Sequence, residues 1–217
     1  YVDASAQVDM AVKIVRDAKT SYPSACNTLE TLLVHASAAP ALLQALPEAM
    51  PGVVFHADPR ALPLLGPGAS VVAVKPDDFD TEWGELQMSV AVVDSLDEAI
   101  AHITKHGSKH TEVVVSEDRA VQERFVTAVD AAGVYVNASS RFADGFRYGF
   151  GAEVGVSTAR LHARGPVGLE GLLSYKYRVY GHGHVTAGED GVVFDHKDIE
   201  GVATVDDIST DEALLRQ

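Results

Sequence analysis

Apolar residues recur at helical spacing in the first stretch of the chain and predict a helix over residues 4–19. Its apolar face consists of Val8, Ala11, Val12, Val15 and Ala18. Pro23 follows, and proline interrupts a helix because it has no N–H and disfavours helical geometry in the residue before it. The short apolar run at 31–34 then predicts a buried strand. Residues 21–30 therefore form a loop between a helix and a strand.

Prolines dominate the next stretch, since seven of the nine lie between Pro40 and Pro76. Within it the pattern predicts a short helix over 40–46 and strands over 53–56 and 70–74. The rest of this stretch is typical of turns that link brief elements.

Apolar strands then alternate with amphipathic helices. Strands are predicted over 89–93, 113–115 and 134–136, and helices over 96–106 and 118–131. Their inward-facing residues are Leu96, Ala99, Ile100 and Ile103 in the first helix and Val121, Phe125, Val126 and Val129 in the second. Such alternation indicates an α/β fold with a mostly parallel sheet that helices cover on both faces. In such sheets functional loops follow the carboxyl ends of strands, and the loop after residue 136 is the longest candidate.

The last part of the chain contains a predicted short helix, a strand and an acidic tail. A short helix is predicted over 164–171, with Pro166 in its first turn. Residues 174–180 alternate in the manner of a strand, with Tyr175, Tyr177 and Val179 on one side. Because that strand has no obvious neighbour, it is free to pair with a separate domain or subunit. Residues 181–217 are acidic and lack a strong period, so we expect a loosely held tail.

The amino-acid composition and charge argue against some classes of function. With 217 residues, 47% of them hydrophobic, the chain can bury a sizeable core. Its formal net charge of −14 and lack of a basic block argue against a nucleic-acid partner. We expect no membrane association, because no apolar run is long enough to span a bilayer and no signal peptide opens the sequence. The chain begins with Tyr1 directly before a helix, as a piece of a longer polypeptide would.

Cys26 is the only cysteine, which excludes an internal disulfide. It lies on the predicted loop among small or polar neighbours (Ser24, Ala25, Asn27 and Thr28). Small neighbours let a substrate approach a nucleophile, and free backbone N–H groups can face a developing oxyanion. The alternative is that Cys26 is a small buried hydrophobic residue.

The loop over 137–155 contains a compact group of hydrogen-bond donors, Ser139, Ser140 and Arg141. The planar guanidinium fork of arginine matches a carboxylate or a phosphate, and flanking hydroxyls can complete the grip. The glycines at 149, 151 and 155 miss the G-x-G-x-x-G spacing and do not open a βαβ unit, so we predict no dinucleotide fingerprint here.

Two further groups of polar residues are open to more than one interpretation. An acidic turn surrounds Trp83; its carboxylates could hold a ligand hydroxyl or simply be solvated. They belong to Asp77, Asp78, Asp80, Glu82 and Glu85. The histidines His102, His106, His110, His182 and His184 are closely spaced. Because no cysteine or carboxylate falls at a companion spacing, we predict no metal site.

Several long segments resemble γ-glutamyl phosphate reductase, a family of the aldehyde dehydrogenase superfamily. Residues 93–114 read VDSLDEAIAHITKHGSKHTEVV, and 136–145 read VNASSRFADG. GFGAEVG at 149–155 and HARGPVGLE at 162–170 continue the match, and YPSACNTLETLLVH at 22–35 resembles the nucleophile loop of the family. DGFRYGFG and DHKD, beginning at Asp144 and Asp195, look more like the eukaryotic bifunctional δ-1-pyrroline-5-carboxylate synthase, in which a glutamate 5-kinase domain precedes the reductase.

The resemblance implies a domain organisation. Residues 1–20 would be a helix leading in from a preceding cofactor domain, 21–171 the catalytic domain, and 172–217 a C-terminal oligomerisation arm with its acidic tail. It also implies a homo-oligomer assembled through the C-terminal strand. We expect a cytoplasmic location, or a mitochondrion or plastid if the enzyme is the eukaryotic bifunctional one.

The resemblance implies a chemistry as well. L-Glutamyl 5-phosphate would be reduced with NADPH to glutamate 5-semialdehyde, with Cys26 as the nucleophile that forms a thioester. Ser139, Ser140 and Arg141 would bind the α-carboxylate or the phosphate of the substrate. Glu82, in the segment TEWG, would contact the nicotinamide ribose, and the preceding domain would bind most of the NADPH.

Two rival functions remain at this point. A cysteine hydrolase would use Cys26 with His35 or His162 as the base and would ignore NADPH. Alternatively, the chain could be a regulatory or assembly module without catalysis of its own.

Overall fold

A computed structural model describes residues 1–155, 164–178 and 180. The chain divides into two units, Tyr1–Ser174 and Tyr175–Gln217. In chain order, the helices of the first unit are α1 (Val8–Thr20), α2 (Ala39–Ala49), α3 (Leu96–His106) and α4 (Arg119–Ala128). Its strands are β1 (Thr31–His35), β2 (Val54–Ala57), β3 (Ser70–Ala73), β4 (Gln87–Val93), β5 (Thr111–Val114) and β6 (Gly133–Val136). Short 3₁₀ turns cover Leu62–Leu64, Pro76–Asp80, Ser140–Phe142 and Leu169–Leu172.

The strands form two parallel groups that the amino-terminal residues join. Four strands lie in the order β1-β4-β2-β3, and β5 pairs with β6. Val2 makes parallel bridges to both Val34 and Val115. Its N–H donates to Leu33 O at 2.8 Å, and its carbonyl accepts from His35 N at 2.9 Å. The amino-terminal residues thus lie between β1 and β5, and all strands run in the same direction.

Side chains alternate between the two faces of this sheet because successive residues of a strand point to opposite sides. Leu32 and Val34 pack with residues of α1 and α2, whereas Leu33 packs with Ala99 of α3 and Phe125 of α4. The prediction of a mostly parallel sheet covered by helices on both faces is confirmed.

Several predicted boundaries needed correction. α1 begins at Val8 rather than at residue 4, and α2 continues to Ala49 although it contains Pro47. On α4 the side chain of Phe125 is fully buried, as predicted, but Val126 is 44% exposed, so its predicted inward position is wrong. The short helix predicted over 164–171 is instead the 3₁₀ turn Leu169–Leu172.

The strand predicted over 174–180 is not formed in its described residues, 174–178 and 180. Tyr175, Tyr177 and Tyr180 are all more than 80% exposed, and the rings of Tyr175 and Tyr177 meet edge to face with centroids 5.5 Å apart. The tail predicted over 181–217 lies outside the described residues. In the described part of the chain, no helix has the length and apolar character needed to cross a membrane.

Candidate active site

Cys26 lies on a turn that is stabilised by backbone hydrogen bonds between its neighbours. Ala25 N donates to Tyr22 O at 3.2 Å, and Thr28 N donates to Ala25 O at 2.9 Å. The Thr28 hydroxyl also donates to Tyr22 O, at 2.5 Å. Cys26 itself is exposed, so its interpretation as a small buried hydrophobic residue is wrong.

Asn137 redirects the chain directly after β6. It adopts a left-handed backbone conformation with φ of 52°, which asparagine tolerates better than most residues. Its amide holds the backbone of Ser116, accepting from the N–H and donating to the carbonyl, both at 2.9 Å. These bonds anchor the start of the loop that carries Ser139, Ser140 and Arg141.

That loop packs directly against the Cys26 loop. The Ser140 hydroxyl donates to Asn27 O at 2.6 Å, and Asn27 Nδ2 donates to Ala143 O at 2.8 Å. The guanidinium of Arg141 donates to Asn27 Oδ1 and, through Nε, to Ser21 Oγ at 3.1 Å. The structure therefore brings together the candidate nucleophile and the candidate anion-binding group, which lie far apart in the sequence.

The three residues of the predicted clamp are not equivalent. Ser139 is buried and its hydroxyl accepts from Arg141 N at 3.3 Å, which caps the turn Ser140–Phe142. Ser140 is also buried and donates its proton to the neighbouring loop. Arg141 is partly exposed. In this structure the serines shape the turn, and the guanidinium of Arg141 lies against the Cys26 loop. Their roles towards a substrate remain predictions.

Opposing charges act on the Cys26 thiol. Although the residue reaches solvent, desolvation by the surrounding protein raises the pKa of its thiol, and the carboxylates of Glu153 and Glu82 raise it further. The backbone N–H of Cys26 and the Arg141 guanidinium lower this pKa, with a smaller combined effect. The thiolate is the nucleophile, and the net effect of these groups is a raised pKa, which disfavours the thiolate in this chain.

Glu82 lies on an exposed turn at the same edge of the sheet. Its neighbour Trp83 stacks on His56, with ring centroids 3.9 Å apart, and donates from Nε1 to Ser89 Oγ at 3.3 Å. Ser89 pairs in register with Thr31. The turn before β4 therefore lies next to the loop before β1. At this position the Glu82 carboxylate raises the pKa of the Cys26 thiol.

The position of the site departs from the expectation for parallel sheets. Cys26 and Glu82 precede β1 and β4, so both lie at the amino ends of these strands rather than at the carboxyl ends. Only the loop after β6 starts at the carboxyl edge, and it reaches the Cys26 loop through the contacts of residues 140–143. The general rule places ligands at strand carboxyl ends; here a helix-to-strand loop, not a strand-to-helix loop, carries the candidate nucleophile.

His35, the described one of the two histidines proposed as a base for a hydrolase, does not lie beside Cys26. His35 ends β1 at the opposite edge, roughly 13 Å along the strand from Thr31, and its Nδ1 is 2.8 Å from Ser37 Oγ. His162 lies outside the described residues. The geometry contradicts a Cys26–His35 pair.

The clustered histidines that the structure describes have other partners. His106 Nδ1 is 2.8 Å from Asp80 Oδ1, and the His102 ring meets Phe79 edge to face at 4.8 Å. His110 Nδ1 is 2.7 Å from Thr111 Oγ1. Among residues 1–155, 164–178 and 180, no three histidine, cysteine or acidic side chains are grouped so that they could hold a metal ion. His182 and His184 lie outside these ranges.

Sequence reasoning missed Asn27 and Glu153. Glu153 Oε2 accepts from Gly145 N at 2.9 Å, and a Cβ at Gly145 would lie 2.6 Å from Gly151 O. The glycine at 145 therefore permits the close backbone approach that brings Glu153 towards the thiol. Only the position of Asn27 directly after Cys26 was a signal in the sequence.

Comparison with known proteins gives this site a context. No model of a protein family matches the chain. A γ-glutamyl phosphate reductase of Synechococcus strain JA-3-3Ab is 53% identical over 203 residues, which cover 91% of this chain and 44% of that protein. One from a Synechocystis strain is 50% identical over 206 residues. This chain belongs to the γ-glutamyl phosphate reductase family. It spans less than half the length of these relatives.

Solved structures agree with the assignment to the γ-glutamyl phosphate reductase family. The family member from Thermotoga maritima is 43% identical with a TM-score of 0.75, over 86% of this chain and 45% of that one. An acetylating aldehyde dehydrogenase from Geobacillus thermoglucosidasius shares the fold, with a TM-score of 0.57 at 16% identity. The predicted aldehyde dehydrogenase-like fold is confirmed. The finer resemblance to the bifunctional synthase stays a prediction.

Proposed function

We propose that the full polypeptide reduces L-glutamyl 5-phosphate to L-glutamate 5-semialdehyde and releases phosphate, and that this chain supplies the catalytic portion. In this proposal residues 21–171 are the catalytic domain, 1–20 lead in from a cofactor domain, and 172–217 form an oligomerisation arm. The observation that carries the proposal is the exposed Cys26 on a loop bound to the Arg141 loop, in a chain about half identical to γ-glutamyl phosphate reductases.

Cys26 acts as the nucleophile. Its thiolate attacks the acyl carbon, and the carbon–oxygen bond to phosphate breaks to leave a thioester and inorganic phosphate. The Cys26 backbone N–H, which lowers the pKa of the thiol, would stabilise the oxyanion that forms. After reduction of the thioester carbonyl, the carbon–sulfur bond breaks, and the aldehyde and the thiolate separate.

Arg141 supplies a cation for an anionic group of the substrate. Its guanidinium suits either the α-carboxylate or the phosphate, and either role places that anion beside Cys26. Ser139 and Ser140 support Arg141 by fixing its turn. The small-molecule substrate thus bridges two loops that are already in contact.

Glu82 fits a contact to a nicotinamide cofactor, because its carboxylate is exposed on the Trp83 turn beside Cys26 and can accept from ribose hydroxyls. An engineered glycolyl-CoA reductase of the same fold, 17% identical with a TM-score of 0.51, has NADP+ bound in its structure. When bound, NADPH supplies the hydride for the reduction. We place most of its binding surface in the preceding domain.

Assembly and location complete the proposal. The exposed tyrosines of 175–180 suit pairing in a homo-oligomer, and the net charge of −14 disfavours nucleic acid. We propose a cytoplasmic location without membrane association. A glutamate 5-kinase domain would precede the reductase only if the resemblance to the bifunctional enzyme holds.

Replacing the nucleophile tests the proposal. In the full polypeptide, Cys26→Ser should abolish phosphate-dependent reduction of NADP+ from glutamate 5-semialdehyde, because serine is a far weaker nucleophile near neutral pH. Circular dichroism should show an unchanged fold, since Cys26 is exposed. A rate close to that of the unmodified protein would remove Cys26 from the mechanism.

A second variant tests the anion site. Arg141→Ala should raise KM for the acyl substrate far more than KM for NADPH, because only the substrate is proposed to contact the guanidinium. Steady-state kinetics with each substrate varied in turn measure this. Equal increases in both constants would show that Arg141 supports the site generally.

A further inference from the structure

Asn27 connects the two loops of the candidate site through both ends of its side chain. Its residue surface is only 3% exposed. Nδ2 donates to Ala143 O at 2.8 Å, and Oδ1 accepts from the Arg141 guanidinium. The Asn27 backbone carbonyl accepts from the Ser140 hydroxyl at 2.6 Å. One residue adjacent to Cys26 therefore contacts three residues of the opposite loop, Ser140, Arg141 and Ala143.

This arrangement determines how Arg141 is oriented. A guanidinium has five N–H donors in a rigid plane. Nε is directed at Ser21 Oγ and Nη1 at Asn27 Oδ1, and the Tyr22 ring lies 5.7 Å from the guanidinium carbon. Because the Asn27 amide is held at its Nδ2 end, its oxygen cannot turn away from Arg141.

We propose that Asn27 is a positioning residue, which holds the Arg141 cation beside the Cys26 thiol so that the thiol reacts preferentially with anionic electrophiles. The relevance to an acyl phosphate that carries a second anionic group rests on the proposed function. The positioning itself does not, since it concerns one side chain holding another and requires no turnover. It is thus measurable on the thiol alone.

Two alkylating reagents of similar size can measure the preference of the Cys26 thiol for anionic electrophiles. Iodoacetate carries a carboxylate and iodoacetamide is neutral; in both reactions the thiolate forms a bond to carbon and iodide leaves. Because both reagents consume the same thiolate, the ratio of their rates cancels any change in the pKa of Cys26. The full polypeptide is used, and alkylation is followed by mass spectrometry on the peptide that contains Cys26.

Arg141→Ala should lower the ratio of iodoacetate to iodoacetamide rates about fivefold, as expected for losing one nearby screened charge. Asn27→Ala should lower the ratio by most of that amount, because the cation is retained but no longer held. Asn27→Ser, a milder change, should lower it in the same direction. This second variant keeps the proposal testable if Asn27→Ala does not fold.

Thr28→Val is the matched control. Thr28 is also buried and makes a hydrogen bond within the same loop, to Tyr22 O, but none of the described hydrogen bonds joins it to Arg141. This variant should keep the unmodified ratio. The proposal is overturned if Asn27 variants keep that ratio, if Thr28→Val lowers it equally, or if Arg141→Ala has no effect.

The same variants separate this proposal from the proposed function. Asn27→Ala should raise KM for the acyl substrate without a matching rise for NADPH. If the alkylation ratio responds as expected while Cys26→Ser retains full reductase activity, then the positioning role stands and the proposed mechanism fails. If Cys26→Ser is inactive and the ratio does not respond, the mechanism stands and the role of Asn27 fails.

Discussion

The pKa of the Cys26 thiol is set first by desolvation and then by a few charged groups around the sulfur. Glu153 and Glu82 disfavour the thiolate, whereas Arg141 favours it. Together with desolvation, the net effect raises the pKa of the thiol, and a smaller thiolate fraction slows alkylation and oxidation of an exposed cysteine. An anionic substrate at Arg141 would cancel the favourable charge, so the balance depends on which group occupies the site.

Glu153→Gln should lower the pKa of Cys26, because the variant removes the negative charge with the largest effect on the thiol. The thiolate fraction at pH 8 then rises, and alkylation by neutral iodoacetamide becomes several-fold faster. The pH dependence of the alkylation rate gives the shift. Glu48→Gln, at an exposed position of α2, should leave the profile unchanged. A profile for Glu153→Gln identical to that of the unmodified protein would contradict the assignment.

The helix and strand on either side of the Cys26 loop are joined by a buried ion pair. Lys19, in the last turn of α1, is fully buried, and its Nζ lies 3.0 Å from Oε2 of Glu30, the residue before β1. This pair closes the base of the loop that carries Cys26. Burial lowers the pKa of Lys19 and raises that of Glu30, while their attraction opposes both shifts.

Lys19→Met should destabilise the fold by about 3 kcal/mol, because it leaves the Glu30 carboxylate partly buried without its partner. Urea unfolding monitored by circular dichroism measures the free energy of unfolding. The double variant Lys19→Met/Glu30→Gln should recover part of the loss. Lys13→Met, on the exposed face of the same helix, is the control and should cost less than about 0.5 kcal/mol.

α3 carries a histidine that the fold keeps neutral. Burial and the neighbouring His106 lower the pKa of His102 to about 4. In the unfolded chain an ordinary histidine titrates near pH 6.5. Between these pH values the unfolded state binds a proton that the folded state does not, so stability falls as the pH decreases through this window.

His102→Gln should flatten the dependence of stability on pH between 6.5 and about 4. Urea unfolding at pH 7, 5.5 and 4.5 measures the free energy of unfolding for both proteins. Relative to its value at pH 7, the unmodified protein should lose more stability than the variant at each lower pH. Parallel curves would show that His102 does not contribute to acid sensitivity.

At the scale of the whole first unit, three residues at the amino terminus join two parallel sheets. Val2 exchanges hydrogen bonds with β1, Asp3 N donates to Val115 O at 2.9 Å, and Val115 N donates to Tyr1 O at 2.8 Å. Asp3 is buried and its carboxylate accepts from the hydroxyls of Tyr1 and Ser5. This segment therefore connects β1, which packs against α1 and α2, with the β5–β6 pair that leads into the Arg141 loop.

Val2→Pro should destabilise the protein by about 3 kcal/mol or more, because proline removes the N–H that bonds to Leu33 O in the middle of a sheet. Val2→Ala keeps that bond and loses only part of a buried side chain, so its cost should be clearly smaller. Thermal unfolding of both variants provides the comparison. Equal losses would indicate that side-chain packing, rather than the backbone bridge, joins the sheets.

Local patterns were sufficient for most elements of this fold. α3 was predicted with its observed bounds, and the β-branched runs around Val34, Val93 and Val136 were predicted as strands, because helical and strand periodicities are properties of neighbouring residues. The Val2 segment was missed, since three residues are too few to show a period. Val126 was misplaced because helical spacing alone does not reveal the width of the buried face.

The sequence by itself determined the alternating α/β pattern, the single candidate nucleophile Cys26 and the resemblance that identified its family. Only the tertiary structure decided the strand order β1-β4-β2-β3, the position of the site at the amino ends of β1 and β4, and the contacts of Asn27 and Glu153. The physical reason is the distance along the chain over which each kind of interaction acts. Periodicity and turn chemistry act over a few residues, whereas the contact between Asn27 and Arg141 exists only after the sheet has packed.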